Sequence, residues 1–177
     1  MKNNRYSISI RHALMLLVFL LGLPSSGFGF TNNFRQDGIW FQFVNARDKT
    51  VEVYGCDKTL AQDVVIPSSV NYEGIHYKVI TIGDKAFYGC HNLTSIELPN
   101  SVTTIGHMAF YDCLGLISIE LPNSVTTIDN GAFLGCNNLT SIKLPNSVTT
   151  IGGAAFENCI YNHRTTKTNQ KYPSVNL

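Results

Sequence analysis

Residues 86–108 read AFYGCHNLTSIELPNSVTTIGHM, and two near-copies follow without a break, AFYDCLGLISIELPNSVTTIDNG at 109–131 and AFLGCNNLTSIKLPNSVTTIGGA at 132–154. A fourth copy begins with AFENC at residues 155–159. Repeats of this kind, with recurring leucine and isoleucine, are typical of solenoids, because one coil alone cannot bury its apolar side chains. The sequence therefore predicts a mainly β solenoid of the leucine-rich repeat class, with 23-residue coils and short parallel strands.

Two strands are predicted in each coil. Residues 93–98 fit the pattern L-x-x-L-x-L, and residues 102–105 alternate apolar and polar side chains. Pro99 and Asn100 separate the two segments, because proline cannot donate to a strand ladder and asparagine favours turns. We therefore expect two parallel ladders, connected through a tight or helical turn at A-F-x-x-C. The predicted core columns recur with the repeat and begin at Phe87, Leu93, Ile96, Leu98, Val102 and Ile105.

A diverged copy and a cap are predicted upstream. Residues 66–70, IPSSV, match LPNSV and open the solenoid, which we place at residues 66–159. Nine extra residues, 71–79, carry Glu73-Gly74 at their centre and predict a β-hairpin. Residues 30–65 are interpreted as an N-terminal β-hairpin cap, with strands at 39–44 and 50–54 and a turn at 45–48.

The two ends of the chain differ from the repeats. Residues 1–29 combine basic residues, an apolar run at 13–23 and small residues, which is the pattern of a secretory signal peptide; the rival interpretation is an uncleaved N-terminal anchor. We expect an exported protein, secreted or on the cell surface, with the periplasm as the other destination and no stable membrane span in the mature chain. Residues 160–177 are predicted to be a polar, disordered tail, which leaves the last complete coil with apolar surface and open strand edges.

The charge balance gives no indication of nucleic-acid binding. The formal net charge of the whole chain is +1. Without residues 1–29 the chain has 10 Lys and Arg against 12 Asp and Glu. A nucleic-acid-binding surface needs a basic excess, so no nucleic-acid partner is predicted.

The cysteines predict neither a disulfide framework nor a metal centre. Four of the five, at 90, 113, 136 and 159, are spaced by one repeat, and the fifth is Cys56. Equivalent positions on stacked coils lie about 4.8 Å apart, and parallel side chains keep their Cβ atoms near that distance. A disulfide prefers about 3.8 Å between Cβ atoms. Buried free thiols are therefore favoured, a bridge between neighbours is the alternative, and one cysteine per coil forms no convergent metal site.

No enzyme is predicted, and no catalytic residue or cofactor. His91 follows Cys90 directly, so the two side chains point in different directions from the coil. Glu97 and Glu120 share a column, but the next copy has Lys143 there. No P-loop, G-x-S-x-G, H-E-x-x-H or calcium-loop motif occurs.

The outward positions of the first predicted strand form the candidate ligand-binding face. Small hydroxyl side chains beside charged ones suit docking to a protein or glycan, and they also serve as soluble, β-prone surface residues. The face comprises Thr94, Ser95, Glu97, Ile117, Ser118, Glu120, Thr140, Ser141 and Lys143.

The motif C-x-x-L-x-x-I-x-L-P-x-S-V-x-x-I-x-x-x-A-F resembles the BspA-type leucine-rich repeat of exported and surface proteins. The resemblance covers residues 86–159 strictly and about 64–85 loosely, and residues 37–55 are similar to the N-terminal region of many bacterial members. It implies a non-enzymatic, adhesin-like role whose partner is a host matrix or cell-surface protein or glycan. The alternative is a truncated or self-stacking structural solenoid that associates through its open C-terminal coil. No functional residues transfer, because the shared motif is the scaffold.

Overall fold

The computed structural model of the protein describes residues 32–57 and 59–159, which form β-strands and turns without an α-helix. The predicted signal peptide and polar tail lie outside these residues. Within the described part of the chain, the strands are β1 (Asn33–Gln36), β2 (Ile39–Asn45), β3 (Thr50–Cys56), β4 (Asp63–Val65), β5 (Ser69–Tyr72), β6 (Ile75–Ile82), β7 (Ser95–Glu97), β8 (Thr104–Ile105), β9 (Ser118–Glu120), β10 (Thr127–Ile128), β11 (Ser141–Lys143) and β12 (Thr150–Ile151).

Two parallel ladders run along the repeats, as predicted. One sheet has the order β4, β7, β9, β11, and the other continues from β6 through β8 and β10 to β12. Ile96 pairs with Ile119, which is one repeat later in the sequence. Val64 pairs with Ile96 across 32 residues, because the nine-residue insertion lies between them. Strict register places the same side chain at each level of the core.

The A-F-x-x-C segments form tight turns at one corner of each coil. The Phe87 N–H donates to the Ala109 carbonyl of the next coil at 2.8 Å, and the Cys90 N–H donates back to the Phe87 carbonyl at 3.0 Å. The phenylalanine rings stack along the solenoid, with centroids 5.1–5.4 Å apart and interplanar angles of 2–7°. The corner therefore joins coils through both its backbone and its rings.

Each corner also contains two residues with positive φ, a feature that the sequence analysis did not predict. The second of them is Gly89, Asp112, Gly135 or Asn158, all residue types that tolerate the left-handed region. The first is Lys85, Met108, Gly131 or Ala154, and of these only Gly131 is a residue type that favours the left-handed region.

The N-terminal cap is an antiparallel sheet continuous with one of the ladders. The predicted strands at 39–44 and 50–54 are confirmed as β2 and β3. β1 was not predicted; it pairs with β2 through Asp37-Gly38, whose φ values of 51° and 80° form a type I′ hairpin turn. β3 then pairs in parallel with β6, so the cap and the first coil share hydrogen bonds.

Aromatic side chains fill the space between the cap and the inserted hairpin. The insertion forms β5 and β6 around Glu73-Gly74, as predicted. Its Tyr77 packs edge-on against Phe43, with ring centroids 4.8 Å apart at 74°. Phe34 packs against Tyr72 at 4.7 Å. These contacts close the N-terminal end of the core and confirm the β solenoid with an N-terminal β-hairpin cap.

Candidate functional site

The candidate site is the outward face of the sheet β4–β7–β9–β11. Side chains in a strand alternate between the two faces, so the central residue of each three-residue strand points into the core and its neighbours point outward. Two outward columns result. The first comprises Asp63, Ser95, Ser118 and Ser141, and the second comprises Val65, Glu97, Glu120 and Lys143.

All nine predicted face residues lie on or directly before these strands. Thr94 and Ser95 are half-buried. The other seven are exposed, among them Ile117, an isoleucine with 53% of its surface accessible. The predicted residues therefore form one continuous surface.

Asp63 organises the N-terminal part of this surface and was missed by the sequence analysis. Its carboxylate accepts hydrogen bonds from the Ser95 hydroxyl at 2.6 Å and the Thr94 hydroxyl at 3.1 Å. The sequence did contain one indication of this role, because Asp63 occupies in the diverged copy the position that Ser95 has in the next coil. Val65 was missed for the same reason, although it is 68% exposed beside Glu97.

An ion pair occupies the other end of the face. Lys143 Nζ donates to Glu120 Oε1 at 2.8 Å, and both side chains are more than 70% exposed. This hydrogen bond lowers the pKa of Glu120 and raises the pKa of Lys143. Water screens such a pair, so it contributes little to stability. The Glu97 carboxylate, by contrast, has no hydrogen-bond or ion-pair partner among residues 32–57 and 59–159.

A shallow groove of about 580 Å³ runs across the face. It extends from Asp63 to Lys143, and Asn100, Asn123 and Pro122 lie along one side. The asparagines follow the strand of each coil and were predicted only as turn residues. The groove offers carboxylates, hydroxyls, amides and exposed apolar side chains to a ligand.

The cysteine column is separate from this face and lies in the core. None of the five cysteines, all of which lie among the described residues, forms a disulfide bond. The thiols of the last three coils donate to phenylalanine carbonyls of the preceding coil, as from Cys136 to Phe110 at 3.0 Å. A hydrogen bond with the Cys113 thiol, together with burial, raises the pKa of Cys136 to about 12. Because the thiolate is the nucleophilic form, this thiol is suited to packing rather than to catalysis.

No group of three or more His, Cys, Asp or Glu side chains in the described ranges could hold a metal ion. In these ranges the chain also contains no helix with the length and apolar character that a membrane span requires.

Solved structures of bacterial leucine-rich repeat proteins are similar to this chain. A leucine-rich repeat protein from Bacteroides ovatus is 40% identical with a TM-score of 0.68, and the match covers 72% of this chain and 33% of that protein. The chain thus spans about a third of the length of that relative. A leucine-rich repeat protein from Bacteroides capillosus is 30% identical with a TM-score of 0.65, over 73% of this chain and 93% of that one. The leucine-rich repeat protein of T. pallidum is 28% identical with a TM-score of 0.54, over 70% of this chain and 66% of that one.

No curated protein matches the chain. The family described as BspA type leucine rich repeat region matches residues 56–174 in six copies. This match begins at Cys56, so it includes the diverged coil and its cysteine. It covers well over half of the sequence, and the chain belongs to the BspA type leucine-rich repeat family.

Proposed function

We propose that this protein is a non-enzymatic, adhesin-like binding module that works outside the cytoplasm. Its partner is a protein or glycan of a host matrix or cell surface, and it docks on the outward face of β4–β7–β9–β11. Export rests on the signal-peptide pattern of residues 1–29. Membership of a repeat family without fixed functional residues supports a binding role over catalysis.

The observation that carries this proposal is the composition of the outward face. Val65 and Ile117 are 68% and 53% exposed, and Glu97 is a carboxylate without a partner among the described residues. Exposed apolar side chains beside polar groups on a rigid surface are typical of protein interaction sites. The register of the sheet fixes these groups, so binding requires little ordering of the protein.

The chemistry of the charged and thiol groups supports the absence of catalysis. The Glu120 carboxylate forms an ion pair with Lys143 on the neighbouring strand. Glu97 and Glu120 therefore do not form a pair of free carboxylates on opposite sides of a substrate cleft. The buried Cys136 thiol stays protonated at neutral pH because of its raised pKa. Neither arrangement provides an activated acid, base or nucleophile.

The test is a binding assay with the chain from residue 30 to residue 177. The immobilised protein is exposed to a panel of purified extracellular-matrix glycoproteins and to a glycan array. The variant Glu97→Lys alters the face, and Glu157→Lys is the matched control, with the same charge change at an exposed position on the corner. Thermal melting checks that both variants fold.

We expect a matrix glycoprotein to bind the unmodified chain and Glu97→Lys to weaken this binding by about tenfold. The control should change the affinity by less than about twofold. If a glycan binds instead, and Glu97→Lys weakens that binding, the partner is a glycan and the proposed face is the binding site. Absence of any ligand, or equal binding by both variants, would contradict it.

A further inference from the structure

The two ladders of the solenoid end differently on the N-terminal side. The ladder that contains β6 continues through β3 and β2 to β1, so the cap extends this sheet beyond the first coil. The sheet of the candidate face ends at β4, which pairs only with β7 among the described strands. β4 is therefore an edge strand, and edge strands are templates for pairing with another chain.

The hydrogen bonds on either side of β4 show which of its backbone groups are open. Toward β7, the Gln62 carbonyl accepts an N–H at 3.1 Å and the Ile66 N–H donates at 3.0 Å. Backbone groups of successive residues in a strand point to opposite sides, so Asp63 and Val65 point away from β7. Their backbone N–H and C=O groups form no hydrogen bond with any residue in the ranges 32–57 and 59–159.

A cleft of about 210 Å³ lies beside this edge, between β4 and the turn that connects β1 to β2. Ile39 and Phe41 line it from the core and are 4% and 1% exposed. Leu60, Ala61 and Pro67 form its walls. Pockets for drug-sized molecules have roughly 300–1,000 Å³, so this smaller, mainly apolar cleft suits a single side chain.

The rim of the cleft is acidic. Asp37 in the hairpin turn and Asp63 on the edge strand both line the cleft, and both are exposed. Glu97, level with Val65 on the neighbouring strand, adds a third carboxylate nearby. Among the described residues no lysine or arginine lines the cleft. The charge of the rim therefore favours a ligand with basic side chains.

We propose that the free edge of β4 binds an extended peptide segment of a partner protein, which adds to the sheet as a further strand and alternates basic and apolar side chains. The open backbone groups supply the main-chain hydrogen bonds of such strand addition. Because side chains alternate between the faces of a sheet, an apolar one level with Val64 enters the cleft. Its basic neighbours then lie on the outward face beside Asp63.

The length of β4 sets how much of the segment is paired. The strand has three residues, and Pro67 follows it closely, so main-chain pairing covers a short stretch. A short edge also limits uncontrolled pairing between copies of the chain. The cleft and the acidic rim must therefore supply the selectivity. This inference goes beyond the proposed function, because strand addition at β4 requires no glycoprotein or glycan on the outward face.

The experiment uses the chain from residue 30 to residue 177 and an acetylated, amidated hexapeptide of alternating lysine and valine. A hexapeptide of alternating glutamate and valine tests the dependence on charge. Val65→Pro removes one open N–H without removing a hydrogen bond to β7, and Ala61→Leu narrows the cleft. Ser68→Pro is the matched control, since its N–H has no hydrogen-bond partner among the described residues and it lies outside the cleft. Thermal melting checks that all variants fold.

Calorimetry and amide hydrogen exchange measure binding and its position. We expect the lysine peptide to bind at least about tenfold more tightly than the glutamate peptide. Val65→Pro and Ala61→Leu should each weaken binding by about tenfold, and Ser68→Pro by less than about twofold. Bound peptide should slow exchange at the amides of Asp63 and Val65 by at least about tenfold, whereas the Val64 amide, already paired with β7, should change little.

Several results would overturn the proposal. These are no binding of the lysine peptide, equal binding by Val65→Pro, and binding that leaves the amides of Asp63 and Val65 unprotected. Protection of these amides without peptide would overturn it too, and a dependence of that protection on protein concentration would assign the edge to a second copy. None of these results bears on the proposed function, because the assay contains no matrix glycoprotein or glycan.

Discussion

The cap and the coils of this protein solve the same packing problem in different ways. In the coils, one phenylalanine per level stacks on its equivalent with rings within 7° of parallel. Where the cap meets the inserted hairpin, Phe43 packs against Tyr77 at 74°, and Phe34 contacts three different aromatic rings. The coils repeat one aromatic stacking geometry by translation, whereas each aromatic contact of the cap has a geometry of its own.

This difference in aromatic packing predicts that substitutions in the coils and in the cap lower the stability of the fold by different amounts. A substitution in a middle coil disturbs two identical interfaces, one on each side. A substitution in the cap disturbs contacts that occur once, and those of Phe34 are only partly buried. Both regions bury aromatic side chains, so matched substitutions in the two regions test this idea directly.

The largest expected effect is the loss of a central phenylalanine. Phe110 is fully buried and stacks on Phe87 and Phe133 at 5.2 and 5.1 Å. Phe110→Ala should lower the free energy of unfolding by about 3–5 kcal/mol through lost burial and a cavity. Phe34→Ala in the cap should cost roughly half as much, because Phe34 is only partly buried. Urea unfolding of both variants measures the two losses of free energy, and equal losses would contradict the expected difference between coil and cap.

A smaller effect is expected from adding a methyl group to glycine. A Cβ on Gly106 would lie 2.8 Å from the Gly83 carbonyl carbon and 2.9 Å from the Asp84 nitrogen of the preceding coil. Gly106→Ala should therefore separate two coils and cost about 2–3 kcal/mol. Gly74→Ala in the inserted hairpin, which packs against the cap, meets no atom within 4 Å, and its φ of +82° should cost about 1 kcal/mol. Thermal melting of the pair measures the difference; a larger loss at Gly74 would contradict it.

The thiol column predicts a loss of stability in alkali. The pKa of Cys136 is raised to about 12 in the folded protein, above the value of about 8.5 for an unperturbed thiol. The unfolded chain therefore releases this proton first, so the stabilising contribution is complete below pH 8.5 or so and is lost as the pH rises toward 12. Between pH 8 and pH 10 the unmodified protein should lose more Tm than Cys136→Ala does. Parallel pH profiles of the two proteins would exclude this role for Cys136.

The smallest expected effect belongs to a carboxyl group of the cap. Burial, and then the charge of Asp84, raise the pKa of Glu52. Because the folded state binds this proton more tightly, ionised Glu52 destabilises the fold at neutral pH, and the cost disappears as the pH falls below the carboxyl pKa. Glu52→Gln should raise Tm at pH 7 by an amount on the order of 1 °C, with no gain near pH 4. A gain that is the same at both pH values would exclude ionisation as its cause.

The sequence predicted the repeating part of the fold well, because each column is stated several times. Leucine recurs at the same repeat position in three successive coils, and all three side chains are buried: Leu93, Leu116 and Leu139. The two parallel ladders and the inserted hairpin followed from the same register. In this part of the fold only the positive φ values were not predicted, since lysine and methionine at positions 85 and 108 do not indicate a left-handed backbone.

The features that escaped prediction occur where the repeat is irregular. β1 has only four residues of mixed polarity, although Asp37-Gly38 is a strong hairpin signal that could have revealed it. Cys56 precedes Ile66 by ten residues, whereas Cys90 precedes Leu98 by eight, so the spacing does not align Cys56 with the other four cysteines. Asp63 and Val65 of the candidate face were missed because their strand belongs to this diverged coil.

The alternating direction of the inter-coil hydrogen bonds has an electrostatic consequence. At the corner, the N–H of Phe87 points toward the C-terminal end of the solenoid, while just before β10 the N–H of Thr126 points toward the N-terminal end. The dipoles of these two sets of peptide groups therefore oppose each other, unlike those of an α-helix, which add along its axis. A solenoid of this kind can gain coils without accumulating charge at its ends. Its length is then limited by where a cap appears in the sequence rather than by electrostatics.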